Sequence, residues 1–332
     1  MKRFLLILAA FASFCGCKST KALLPSVSGK AGEIIVVIDK PVWEGPLGGE
    51  VRDLLACDCP FFIQQEPLYS LVNVTPSAFA DLFKVHRNIF MVMIDPQVDS
   101  AGVFYKHDAW AAPQCVIQLS ARNEEEASGL LAKSGRNITN SFEQAERDRV
   151  IRNSIKYEER EVTNQVKEVF GGSPRIPVGY KLRKISDDFA WISDDKQYSN
   201  QGIFIYRYPA DEEDPFSKEN IVAHMNDILK ENVPGMLDNS WMTTSDYFEP
   251  QLEYIKYKGR SIAQTRGYWE VENDFMGGPF VSHSFYSQDG KDIIVLDAWV
   301  YAPKYDKRQY LRQTEAIIYS WEWKDSLNKE SK

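Results

Sequence analysis

Ile34-Ile35-Val36-Val37-Ile38 is an unbroken run of five β-branched residues. A strand with one wet face alternates apolar and polar side chains, so a continuous apolar run predicts a strand covered on both faces, as in the parallel sheet of an α/β unit. Asn88-Ile89-Phe90-Met91-Val92-Met93-Ile94 repeats the pattern. Between the two runs come a Pro/Gly loop, a helix expected over about Leu47 to Ala56 and a strand near Leu68 to Val74. A further helix is expected to open at Thr75-Pro76, because a Thr cap followed by Pro in the first turn suits a helix start. Strands at Val103 to Lys106 and Cys115 to Leu119 complete an expected N-terminal α/β domain, residues 31–120.

Residues 121–173 read as a helical segment. Asn123 followed by Glu124, Glu125 and Glu126 is a cap with acids set against the positive end of a helix. After a break expected at Ser134-Gly135, Ile138, Phe142, Ala145, Ile151, Ile155, Val162, Val166 and Phe170 keep roughly helical spacing. One long amphipathic helix is expected, ending at Gly171-Gly172-Ser173-Pro174. Its apolar stripe slips register near Arg149, which favours packing on the protein's own sheet over a coiled-coil arm that binds a partner.

Residues 174–328 alternate as antiparallel strands do, in Gly202 to Tyr208, Leu252 to Tyr257 and Phe280 to Tyr286. Lys258-Gly259-Arg260 is a tight hairpin turn, Ser217 to Glu231 reads as a helix, Ile293 to Tyr301 as an apolar strand, and Asp306 to Trp323 as a closing helix. The fold class is therefore α+β: an N-terminal α/β unit, a long helix, then an antiparallel sheet packed with helices.

The first residues carry an address. Lys2 and Arg3 precede an eleven-residue apolar run, Phe4 to Phe14, which is too short to span a bilayer and has the flanks of a secretory signal peptide, residues 1–16. Gly16-Cys17 completes a lipobox. Cleavage before Cys17 exposes a thiol for acylation, whereas cleavage before Cys15 would set bulky Phe14 at the scissile bond. Residues 17–30, rich in Lys, Ser, Gly and Pro, read as a lipidated tether. Three cysteines then remain, Cys57, Cys59 and Cys115. An odd set does not make a disulfide framework, and Cys57-Asp58-Cys59 has no second ligand pair at metal spacing.

With 39 Lys and Arg against 47 Asp and Glu the net charge is −8, which disfavours nucleic acid, since its binding relies on a basic surface. At 44% hydrophobic and 13% aromatic residues the chain can build full cores. No Gly-x-Ser-x-Gly elbow, phosphate-cradling loop or zinc helix motif occurs, so no cofactor or metal is expected.

Asp39 and Asp95 end the two buried runs. Ligands of open α/β sheets sit at the carboxyl ends of the strands, so these acids, with Glu66, are candidate ligand-binding residues; Asp-Lys-Pro and Asp-Pro are equally ordinary turn chemistry. Trp43, in the loop Pro41 to Gly49, is the candidate for an exposed functional ring. His86, His107, His224 and His283 form no ligand pairs, and His107-Asp108 is a weak candidate dyad because adjacent side chains rarely face each other.

Gly32-Glu33-Ile34-Ile35-Val36-Val37-Ile38-Asp39 with Trp43 and Gly45, Gln65-Glu66-Pro67, Arg87-Asn88-Ile89, Trp191 and Gly202-Ile203-Phe204-Ile205-Tyr206 together resemble an uncharacterised lipoprotein family of the Bacteroidota. That resemblance implies a cell-envelope location and no assigned activity. Ile176-Pro177-Val178-Gly179-Tyr180 through the strand at Ile203 resembles the PsbP-like fold, an antiparallel sheet covered by helices. Lys18, standing where Asp retains lipoproteins in the inner membrane, implies the outer membrane, and the basic Lys18-Ser19-Thr20-Lys21 implies a body facing the periplasm. The expected function is a non-catalytic binding or scaffold component, held to the membrane by its acyl anchor and engaging an envelope protein or a cell-wall fragment. The alternative is an envelope hydrolase with its carboxylates at the strand ends of the N-terminal domain.

Overall fold

The computed structural model describes residues 23–324. The signal peptide and Cys17 lie outside the described residues. The described residues fold as a five-stranded and an eight-stranded sheet, with a small two-stranded one beside them and helices packed against them, the expected α+β architecture.

The N-terminal sheet contains β1 (Glu33–Val37), β2 (Ser70–Val74), β3 (Asn88–Ile94), β4 (Gly102–His107) and β5 (Cys115–Ala121) in the order β2-β1-β3-β5-β4. All neighbours are parallel except β4, which runs antiparallel at the edge. Helices α1 (Lys40–Glu44), α2 (Pro46–Leu55) and α3 (Asp81–Lys84) lie between the first strands, and α4 (Glu124–Lys156) follows the last. The unbroken apolar runs are explained by two cores. Ile34, Val36 and Ile38 pack with Leu47, Val51, Leu131, Ile138 and Phe142, whereas Ile35, Val37 and Ile89 pack with Phe79, Phe83 and Trp110.

Thr75-Pro76 opens only a 3-10 turn, Pro76–Ala78, before the four residues of α3. The turn stops at Phe79, whose backbone at φ −72° and ψ 81° leaves the helical region. The break expected at Ser134-Gly135 does not occur. Gly135 instead gives close approach to α2, where a Cβ would stand 3.0 Å from Leu54 Cδ1. The single long helix is two, α4 and α5 (Arg160–Phe170), because the backbone at 157–159 bonds sideways: Glu159 N–H donates to Ile176 O at 2.8 Å and Val178 N–H to Tyr157 O at 2.8 Å.

The C-terminal domain carries β6 (Gly172–Ser173), β7 (Lys181–Ile185), β8 (Phe189–Lys196), β9 (Ser199–Pro209), α6 (Lys218–Asn232), β10 (Met242–Thr244), β11 (Gln251–Tyr257), β12 (Arg260–Val271), β13 (Gly277–Tyr286), β14 (Asp292–Tyr301), α7 (Arg308–Tyr319) and β15 (Glu322–Trp323). Eight strands form an antiparallel sheet in the order β10-β12-β13-β14-β9-β8-β7, with β11 also on β12. Strand alternation sorts its faces. Ile203 and Ile205 point with Leu296 and Ala298 toward α7, while Phe204 and Tyr206 point with Trp299 toward Met225 and Leu229 of α6. The turn at Lys258-Gly259 adopts the left-handed backbone, φ 46° and 82°, that a tight hairpin requires.

Helix α7 belongs to the C-terminal sheet by its packing and to the N-terminal domain by its polar contacts. Arg312 reaches Glu143 at 2.7 Å and Leu68 O at 2.6 Å, and the Glu66 carboxylate accepts the backbone N–H groups of Lys307 and Arg308 at the helix start. These contacts join the domains and leave a cleft beside them.

A candidate binding cleft between the domains

The cleft follows from helical spacing. Arg136, Asn140, Glu143, Gln144 and Arg147 recur at three- and four-residue intervals on α4, and Arg308, Leu311, Arg312, Glu315 and Tyr319 do so on α7, so each helix presents one face. The two faces, the β11–β12 hairpin and the loop Cys59–Phe62 enclose about 440 Å³. Phe61, Phe62, Tyr257 and Phe280 supply an apolar wall.

Charge in the cleft is unbalanced. Arg136, Arg147, Lys256, Arg266, Arg308 and Arg312 line it against Glu143, Glu253 and Glu315. Burial alone would raise the Glu315 carboxyl, but Arg266, 3.3 Å away through Nη1, and Arg147, 3.8 Å away, overcome that and hold it below its ordinary range. Glu143 takes Arg312 and the Tyr69 hydroxyl, the latter at 2.6 Å. The Arg147 guanidinium lies 3.7 Å over the Tyr319 ring.

Behind that ring, Gln264 Oε1 accepts from the Tyr319 hydroxyl at 2.8 Å and faces His283 Nε2 at 3.1 Å. A carbonyl oxygen only accepts, so His283 carries its proton on Nε2. Burial, then Arg266 and Arg147, drive the imidazole well below its ordinary range and keep it neutral. Burial, with Glu315 adding, pushes the Tyr319 phenol up to about 12. At neutral pH His283 and Tyr319 are both neutral and both donate to Gln264, which fixes the wall behind the Arg147 guanidinium.

The residues singled out in the sequence lie elsewhere. Asp39 and Asp95 do stand at the carboxyl ends of β1 and β3, both exposed; Asp95 Oδ1 accepts from Gln97 N–H at 2.9 Å, a turn contact. Glu66 precedes β2 and so lies at the opposite, amino end of the parallel strands, buried and engaged by α7. The three carboxylates do not converge. Trp43 is half-buried in α1, with Arg52 donating to its carbonyl at 2.7 Å and lying 4.7 Å over its ring. His107 and Asp108 are both exposed, and Asp108 Oδ1 accepts from Gln114 N–H rather than orienting the imidazole. Cys57, Cys59 and Cys115 are free thiols, and burial pushes Cys59 and Cys115 up to about 12. Among the described residues no cluster of three or more His, Cys, Asp or Glu could hold a metal ion.

The cleft's arginines escaped the sequence reading, although a signal was present. Charged residues at 143, 147, 312 and 315 fall beside the core-facing positions of helices that otherwise bury that side.

Residues 27–155 match the family model Domain of unknown function (DUF8532), and residues 159–320 match Domain of unknown function (DUF4837). No curated protein matches the chain. Among solved structures it is similar to the Saccharomyces cerevisiae Ran-binding protein Mog1p, at 13% identity and a TM-score of 0.33 over 47% of this chain and 92% of that one. It is also similar to Mycobacterium tuberculosis LpqN, a protein involved in cell envelope biogenesis, at 13% identity and a TM-score of 0.27 over 44% and 79%. A Bacteroides thetaiotaomicron structure gives 11% identity and a TM-score of 0.26 over 47% and 46%.

Proposed function

Residues 27–155 and 159–320 match two separate models of domains of unknown function, and from that premise we propose that the chain is a non-catalytic binding component of the cell envelope, which holds the carboxylate-bearing part of a ligand in the cleft between its domains. One observation carries the proposal: six cations face three acids in the cleft of a chain whose net charge is −8. In an overall acidic protein such an excess attracts an anion, and the low-dielectric walls strengthen its hold. Arginine forks match carboxylates in geometry, and the aromatic wall suits an apolar neighbour on the same ligand.

In this reading acyl groups on Cys17 anchor the chain to the outer membrane with its body in the periplasm. No helix of the described residues is long and apolar enough to cross a membrane. Labelled palmitate entering the wild type but not Cys17→Ala is the expected result, and equal membrane retention of both sinks the anchor.

The cleft is tested by calorimetric titration of the detergent-solubilised chain with a short peptide bearing free carboxylates and with its fully amidated form. The acid form is expected to bind, the amidated form to lose at least tenfold, and Lys256→Glu and Arg147→Gln to weaken binding by a similar factor. No heat with the acid form overturns the proposal.

A further inference from the structure

A second groove, of about 650 Å³, runs along the other flank of α4 between that helix and the segment from Tyr105 to Gln114. Asn140 and Gln144 line both this groove and the interdomain cleft, so the two spaces adjoin over one turn of the helix. From Asn137 to Arg152 the groove follows roughly 20 Å of α4 at 1.5 Å per residue.

The two spaces differ in chemistry. The cleft is dominated by guanidinium groups. In the groove, the Asn137 and Asn140 amides, the His107 ring and the Tyr105 phenol are all exposed, and among the described residues their side chains make no hydrogen bond to the protein. Arg149, the groove's buried cation, is already engaged by Pro113 O at 3.0 Å, Asn88 Oδ1 at 3.0 Å and Arg87 O at 2.7 Å. Asp108 and Asp148 also line the groove but already accept from Gln114 N–H at 2.8 Å and Gln144 Nε2 at 2.7 Å, and the exposed Arg152 stands at its far end, so the unengaged groups beside the aromatic ring are mainly neutral, planar donors and acceptors, which suit hydroxyl and acetamido groups.

Resting on the binding function proposed above, we infer that cleft and groove form one continuous site for a cell-wall glycopeptide, its carboxylate-bearing stem peptide in the cleft and its N-acetylated sugars along Asn137, Asn140 and His107. A site of two adjoining parts favours a ligand whose charge is concentrated at one end. Joining both parts in one molecule makes the second contact intramolecular, so affinity rises beyond that of either part.

Titration with three probes tests this: the free stem peptide, the N-acetylated disaccharide, and the disaccharide joined to that peptide. The joined molecule is expected to bind at least tenfold more tightly than the peptide. The double variant Asn137→Ala/His107→Ala, whose exposed side chains line the groove and not the cleft, is expected to remove that gain and leave the affinity for the peptide unchanged. Peptide and joined molecule binding equally, or a longer peptide giving the same gain as the sugars, overturns the glycopeptide inference while the anion-binding cleft stands. Failure of the peptide and the joined molecule alike overturns both.

Discussion

The Glu66 carboxylate accepts the backbone N–H of Lys307 at 2.7 Å across 241 residues of sequence, and its second oxygen takes Arg308 N–H at 2.9 Å. Helix α7 has no side-chain cap of its own. Glu66 supplies one from the other domain and sets a negative charge at the positive helix end.

Glu66→Ala is therefore expected to destabilise the chain by about 2–3 kcal/mol, since it leaves the buried Lys307 N–H and the part-buried Arg308 N–H without partners. Glu66→Gln keeps the acceptor but loses the charge and should cost about 1 kcal/mol. Urea midpoints at neutral pH measure both, and equal midpoints for wild type and Glu66→Ala would show that the domains are joined by other contacts.

Asp297 and His283 should set opposed pH dependences from opposite faces of the same sheet. Asp297 faces α6 from a fully buried setting, where burial raises its carboxyl to about 7 against the hydrogen-bonding pull of Ser282 and Tyr206. Its folded pKa exceeds the unfolded value of about 4, so its contribution is present below pH 4 and is lost as pH rises through 7. His283 is depressed below 6.5, so its contribution is present above 6.5 and is lost as pH falls. Relative to wild type, Asp297→Asn should make stability climb more steeply between pH 4 and 6.5, by an amount of order 3 kcal/mol across the window, and His283→Gln should tilt it the other way. Denaturation at a series of pH values reads both slopes, and parallel curves would refute the assignment.

Glu146 stands at the centre of a buried network. It accepts Asn88 Nδ2 at 2.7 Å and Gly32 N–H at 3.3 Å, and it pairs with Arg149 at 3.1 Å. Burial lowers the Arg149 guanidinium, with Glu146 opposing that loss. Glu146→Ala is expected to cost about 3–5 kcal/mol, because it strands a buried cation, while the double change Glu146→Leu/Arg149→Met should cost less than Glu146→Ala alone. A double-mutant cycle by thermal melting gives the coupling, and additive effects would mean the pair does not interact.

Two glycines of α4 separate helix propensity from packing. Gly129 has nothing within 4 Å of an added Cβ, so Gly129→Ala should stabilise by about 1 kcal/mol. Gly135 faces Leu54 Cδ1 at 3.0 Å, so Gly135→Ala should gain clearly less or destabilise. Paired melting curves compare them, and equal gains would show that α2 gives way freely.

The parallel sheet was legible because coverage on both faces writes an unbroken apolar run, and β1 and β3 lie where those runs lie. The Lys258-Gly259 hairpin and the alternating strands were legible for the same local reason. The end of α4 was not. It depends on the segment 176–178 bonding to Tyr157 and Glu159. That the carboxylates stand apart was not legible, because strand direction decides which end an acid occupies: Asp39 follows β1, whereas Glu66 precedes β2.

Residue order alone determined where the two buried parallel strands and the long helix begin and which faces they bury, since caps such as Asn123 to Glu126 N–H at 2.9 Å and apolar periodicity act within a few residues. Tertiary structure alone decided that Arg147, Arg266 and Arg312 would share one cleft and that Glu66 would close a helix of the other domain. Charge and hydrogen-bond energies depend on separation in space, and folding brings together groups that the chain holds far apart.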